Sequence, residues 1–275
     1  MSQTKIVVDS SSNLTELPSV PFACAPLKII TDKKQYADTP ELNVHEMVDE
    51  LYHYSGKSST SCPNINDWLL AFGDSEEIIC ITITSALSGS YNSACMAKQT
   101  YEEKNPSRRV AVIDSLSTGP EMVLMAEKAR DLICAGRSFD EILSELSGYK
   151  TELLFVLESM KNLANNGRVS KIAAAAAGIL GVRAIGKASE KGTLEMLSKC
   201  RGNTKTLAEV TSHMQRLGYK GGKVRISHCL NEAVAEELKA KLLKQFTNAV
   251  IEIDTCRGLC SFYAEKGGFI IGFEV

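Results

Sequence analysis

The chain has 275 residues, 44% of them hydrophobic and 23% charged, with a formal net charge of −2 at pH 7. Interleaved, nearly balanced charge excludes a nucleic-acid or anionic-membrane surface, since both require basic clusters. No apolar run approaches the roughly 20 residues of a membrane span, and Met1-Ser2-Gln3-Thr4-Lys5 leads straight into a strand rather than a signal-peptide apolar core, so a cytoplasmic globular protein is expected.

Apolar strands and helical patterns alternate through the first half. Lys5 to Val8 reads as a strand ending in Asp9-Ser10-Ser11-Ser12, and Ala25 to Ile30 as a short extended run. His45 to Tyr54 and Asn66 to Phe72 read as helices, the second started by the Pro63-Asn64 turn. The strand Ile78–Thr84 precedes a helix over Tyr91–Lys104, and Arg109–Ser115 precedes another over Pro120–Cys134. Near-continuous Val/Ile strands in this rhythm imply a parallel sheet covered on both faces.

After Gly136 the character changes, with an amphipathic helix over Ser138–Tyr149 as the crossing point. Five strands follow, at Leu153–Leu157, Leu194–Leu197, Val224–Ser227, Val250–Ile253 and Phe269–Phe273, with helices at 202–217 and 231–246. A hairpin-like turn at Lys191-Gly192-Thr193 points to a mixed or antiparallel sheet. The expected fold is α/β with two lobes: an N-terminal, Rossmann-like parallel-sheet lobe over 1–150 and a C-terminal α/β lobe over 151–275. A ligand is expected between them, where the carboxyl ends of the first sheet's strands open.

The nine cysteines, at 24, 62, 80, 95, 134, 200, 229, 256 and 260, form no C-x-x-C pair and have no His at ligand spacing. They read as reduced thiols, and no metal is expected.

The polar chemistry gathers in loops. Ile81 to Ala94 is a strand, then a loop with Ser85, Ser88, Gly89 and Ser90, then a helix. The first N–H groups of that helix lack intrahelical partners and carry partial positive charge, so the loop suits an anion. Asp9 and Asp114 at strand ends read as ordinary caps, Asp114 more so, and Ser58 to Asn64 as a hydroxyl-rich capped loop. Arg168, in the turn Asn165–Ser170 before an Ala-rich helix over Ile172–Leu180, has the fork geometry that carboxylate and phosphate need. Ser88, His228 and Asp114 assemble into a triad only on paper, since the G-x-S-x-G elbow is absent. Nucleotide loops of the G-x-x-x-x-G-K-[ST] and G-x-G-x-x-G types are also missing.

Together these segments resemble the DegV family of bacterial fatty-acid-binding proteins. The resemblance rests on Val7-Val8-Asp9-Ser10-Ser11, Thr60-Ser61-Cys62-Pro63, Leu87 to Ala94, Val112-Ile113-Asp114-Ser115, Asn166-Gly167-Arg168-Val169-Ser170 and Lys199-Cys200-Arg201-Gly202, in that order along the whole chain. It implies one long-chain fatty acid between two lobes, presented to a separate ATP-using fatty-acid kinase, with no catalytic residue and no cofactor. It also implies ligand contacts from Thr60, Ser61, Ser88, Gly89, Ser90, Arg168 and Thr255, and a kinase-facing Arg201. Where the family carries His-Thr-Gly-Pro-Gly, this chain has Asp254-Thr255-Cys256-Arg257-Gly258. A second carboxylate there requires either a cation, for which Arg257 is the candidate, or an Asp254 that points away. Candidates for the tail lining are the Ala-rich helix, Leu180 and Ile185. The readings that compete are a transferase or hydrolase acting through Ser88 and a lobe-closure binder of a smaller anion.

Overall fold

The computed structural model describes residues 4–170 and 181–275. The Ala-rich segment expected as a helix, and Leu180 with it, lies outside the described residues.

In the first lobe, β1 (Lys5–Asp9), β2 (Phe22–Ala25), β6 (Glu77–Thr82) and β7 (Arg109–Asp114) form an all-parallel sheet in the order β2-β1-β6-β7. Five of the six β6 residues are buried, as a strand covered on both faces requires. The helices α2 (Ile65–Phe72), α3 (Ser90–Lys104), α4 (Pro120–Cys134) and α5 (Phe139–Gly148) belong to this lobe. Asn64 starts α2 through a reciprocal capping box with Asp67 (3.0 and 2.9 Å).

A small antiparallel sheet, β4-β3-β5, is appended: β3 (Lys28–Thr31), β4 (Gln35–Ala37) and β5 (Ser58–Ser61), with α1 (Val44–Tyr52) between the last two. This revises the reading of Ser58–Asn64 as one loop, because its first four residues pair with β3. Hydroxyl-rich Ser58-Ser59-Thr60-Ser61 carries no hydrophobic alternation, so only its partner strand defines it.

The second lobe is a mixed six-stranded sheet, β10-β9-β8-β13-β11-β12. It comprises β8 (Thr151–Leu157), β9 (Val182–Ala188), β10 (Leu194–Arg201), β11 (Lys223–His228), β12 (Val250–Thr255) and β13 (Phe269–Glu274). Only β11 and β12 run parallel. The sixth strand, β9, is the partner that the hairpin turn at Lys191-Gly192-Thr193 calls for, with bounds hidden in the sequence because a central Gly186 and two alanines weaken its pattern. Helices α6 (Lys161–Asn165), α7 (Asn203–Arg216), α8 (Glu232–Gln245) and α9 (Gly258–Ala264) complete the described residues, and none of these helices is long and apolar enough to cross a membrane.

The lobes are joined through α4. A Cβ on Gly272 of β13 would lie 2.6 Å from the Glu121 amide nitrogen and 2.7 Å from the Pro120 carbonyl carbon, so the first turn of α4 sits on bare strand backbone. Buried Glu121 accepts from Ser117 and from Thr151 (2.7 Å), and further along α4 Glu127 pairs with Arg225 of β11.

Two buried carboxylates organise the loops. Asp9, at the end of β1, accepts the amide (3.2 Å) and hydroxyl of Ser11, the Ile83 amide (2.9 Å) and the Ser90 hydroxyl (2.6 Å). Asp38 accepts the Gly258 (2.7 Å) and Leu259 (2.8 Å) amides, capping α9 of the opposite lobe. Burial raises both carboxyls above the usual range, and these donors partly offset it.

Asp9→Asn turns an amide NH2 towards donors already aimed at that position. The expected loss is about 1–3 kcal/mol of unfolding free energy, read by urea denaturation. Because Asp9 binds its proton more tightly when folded, its contribution is greatest below its unfolded value of 3.8 and is lost as pH rises through the folded value. The gap between wild type and Asp9→Asn should therefore widen as pH falls from neutrality, and a narrowing gap refutes the assignment. Gly272→Ala forces α4 off β13 and should cost about 1–3 kcal/mol in the same assay.

Candidate ligand-binding site

The carboxyl ends of β1, β6 and β7 open towards the second lobe. The segment after β6 is held from two sides: Asp9 accepts from Ile83, while Asp114 at the end of β7 accepts from the Ser85 (3.1 Å) and Leu116 (3.1 Å) amides. Asp114 thus does the work of a cap. Gly89 then starts α3 without a side-chain cap, leaving the helix's first N–H groups to other acceptors. Ser88, half-buried, accepts from the Ser90 amide at 3.3 Å. A Cβ on Gly89 would stand 3.3 Å from Cys62 Sγ, which brings this loop against the one following β5.

From β5, Thr60 Oγ1 lies 2.7 Å from the hydroxyl of Tyr263 on α9. Arg168, just beyond α6, donates from Nε to the Leu87 carbonyl (3.2 Å) and from Nη1 to the Asn166 carbonyl, with its guanidinium carbon 5.9 Å from the Tyr263 ring centroid. Among the described residues it has no carboxylate partner. Burial raises the Tyr263 hydroxyl, partly offset by Thr60 and Arg168.

These four side chains edge an apolar cavity between the lobes with an empty volume of about 690 Å³, some of it open to solvent. Leu27, Ile83 and Leu87 line it from one lobe, and Leu153, Phe155, Leu157 and Ile270 from the other sheet. Cys260 also lines it, donating to the Ser11 carbonyl (3.2 Å), its thiol pushed up to about 12 by burial. All nine cysteines are free. Among the described residues no group of three His, Cys, Asp or Glu side chains stands together as a metal site.

Of the residues singled out from the sequence, Thr60, Ser88 and Arg168 line this cavity, and Gly89 adjoins it at the α3 N-cap. Ser61 is half-buried and off the lining. The Ser90 hydroxyl, fully buried, is committed to Asp9 and is not available to a ligand. Thr255 is exposed at the end of β12, and Arg201 is exposed at the end of β10. Ile185 packs with Leu154 and Val156 in the core on the far side of the sheet, so it is not tail lining. The Arg257 guanidinium is engaged elsewhere, by the Thr39 carbonyl (2.5 Å), and its backbone N–H donates to Asn13 (2.9 Å), whereas Asp254 is exposed and 3.4 Å from Arg225. Asp254 therefore points away.

The paper triad does not form: His228 accepts from the Asn231 amide at 3.2 Å and Asp114 holds backbone amides. Tyr263 and Phe155 were missed. Tyr263 sits on a seven-residue helix without a sequence signature, and an apolar strand residue lining a cavity looks like any core residue.

The model of the DegV family, described as uncharacterised protein, DegV family, matches residues 3–274. A DegV domain-containing protein of Streptococcus pneumoniae is 40% identical over 277 residues, covering 98% of this chain and 99% of its own. The crystal structure of a DegV family protein from Eubacterium eligens loaded with heptadecanoic acid is 43% identical, covers 99% of both chains and superposes with a TM-score of 0.97. The Streptococcus pneumoniae Fatty Acid Kinase (Fak) B3 protein loaded with linoleic acid is 39% identical over 99% of both chains, also with a TM-score of 0.97. With its architecture and nearly its whole length matched in this way, the chain belongs to the DegV family.

Proposed function

We propose that this chain is a cytoplasmic carrier that binds one long-chain fatty acid between lobes 1–150 and 151–275 and presents the carboxylate to a separate fatty-acid kinase, performing no chemistry of its own. The observation that carries this reading is an apolar cavity whose edge holds four polar side chains, Ser88 and the linked set Thr60, Tyr263 and Arg168. The two relatives loaded with heptadecanoic and linoleic acid, one of them a fatty-acid kinase B3 protein, support it.

Energetically the two ends of such a ligand make different demands. Burying about 14 methylenes at about 0.8 kcal/mol each offers on the order of 11 kcal/mol before ordering costs. The carboxylate is the difficult end, since an unpaired buried charge is very unfavourable. In this reading the Thr60 and Ser88 hydroxyls, the N–H groups of the first turn of α3 beyond Ser90 and the Arg168 guanidinium meet it, with Ser61 one residue away. Tyr263 fixes the direction of the Thr60 hydroxyl. Arg168 and the helix N-terminus both favour the ionised acid, the form that can accept a phosphoryl group. Arg201, exposed at the end of β10, is available to the kinase. A Ser88 nucleophile lacks a neighbouring base among the described residues, which weighs against the enzymatic reading.

Native mass spectrometry of protein purified without added lipid should show one long-chain acid per chain, and absence of acid with no uptake of offered acid overturns the proposal. Ser88→Ala should weaken retention by about 1.5–3 kcal/mol, as for a hydrogen bond to a charged group, and Tyr263→Phe by about 1 kcal/mol. Neither variant nor wild type should turn over an acyl ester; turnover lost in Ser88→Ala would establish an enzyme instead.

A further inference from the structure

Along β8, Leu153, Phe155 and Leu157 face the cavity, while Leu154 and Val156 face the opposite core. Phe155 is paired across the sheet with Ile270 on one side and Gly186 on the other. Side chains on a strand stand roughly perpendicular to the sheet, so an upright phenylalanine here would drive its ring into the cavity. The ring instead leans over β9. A Cβ on Gly186 would lie 2.2 Å from Phe155 Cζ and 2.7 Å from its Cε2, so the ring covers the bare Cα. The same Cβ would lie 2.4 Å from the Glu195 carbonyl oxygen, so no side chain fits at 186. Phe155 is 4% exposed and, apart from Tyr263 among the polar groups, is the one aromatic residue of the lining among the described residues.

From this geometry we infer that Phe155, leaning with its ring tip over Gly186, is the side chain that sets the acyl length the cavity accepts. This inference rests on the fatty-acid reading above and adds a specificity determinant to it. The remaining lining from this sheet is leucine and isoleucine, whose rotamers adjust to a chain. A ring pinned over a glycine between two strands does not yield in that way, and a methylene without room is discriminated by about tenfold or more.

The test is a competition among saturated acids from dodecanoic to eicosanoic, with bound species read by native mass spectrometry. Wild type should retain a narrow range of lengths. Phe155→Ala should move the preferred length upward by at least two methylenes and raise the occupancy of the longer acid over the wild-type favourite by about tenfold. Phe155→Leu should move it in the same direction by less, and it decides the matter should the alanine variant not fold. Fatty acid retained with the same length ranking in wild type and variant overturns the Phe155 assignment alone. A wild type that retains no acid overturns the fatty-acid reading and this inference with it.

Discussion

The buried carboxylate of Asp9 is the interaction on which the site depends. It ends the central β1 strand and draws four donors inward, from Ser11, Ile83 and Ser90. The last two define the segment that carries Ser88, so the polar edge of the cavity takes its position from a group outside the lining. Four donors on two oxygens are what make burial of that carboxylate tolerable. Asp38 plays the matching part across the junction, where it holds the start of α9 and hence Tyr263 and Cys260 on the facing wall. One acid in the first lobe positions each side of the cavity.

This arrangement divides labour between loops and sheets. Serines and threonines on short segments, fixed by buried acids, supply directional donors. The β8 face and the loops of the first lobe supply non-directional apolar surface. Hydrogen bonds to an anion discriminate by angle and distance, so their holders must be rigid. An acyl chain asks only for volume and shape, which Leu153, Leu157 and the leaning Phe155 ring provide.

Strands of continuous Val and Ile, as in β6, and helices with caps, as in α5, were legible because period and composition declare them. So was the Ser88–Gly89 loop, since a strand running into Ser and Gly before a helix has few other meanings. What escaped were elements whose identity comes from a partner. β5 is a run of hydroxyl residues that only β3 makes a strand, and β9 is broken by the glycine its neighbour's ring requires. Ser90 and Ile185 show the converse: residue type alone cannot tell a donor facing a ligand from one spent on Asp9, or one face of a sheet from the other.

The change at 254 follows from the same logic of partners. The resemblance sets a histidine at this position; here Asp254 is exposed and faces Arg225, which also pairs with Glu252 and with Glu127 of α4. A carboxylate aimed at a bound carboxylate would be repelled, and the Arg225 cluster gives it a destination away from the cavity. Asp254 thereby joins the clamp between the second sheet and α4. The cavity edge keeps an arginine free of acidic partners among the described residues and a helix N-terminus whose N-cap, Gly89, has no side chain. Both are positive, so the edge of the cavity carries charge suited to an anion without an imidazole at 254.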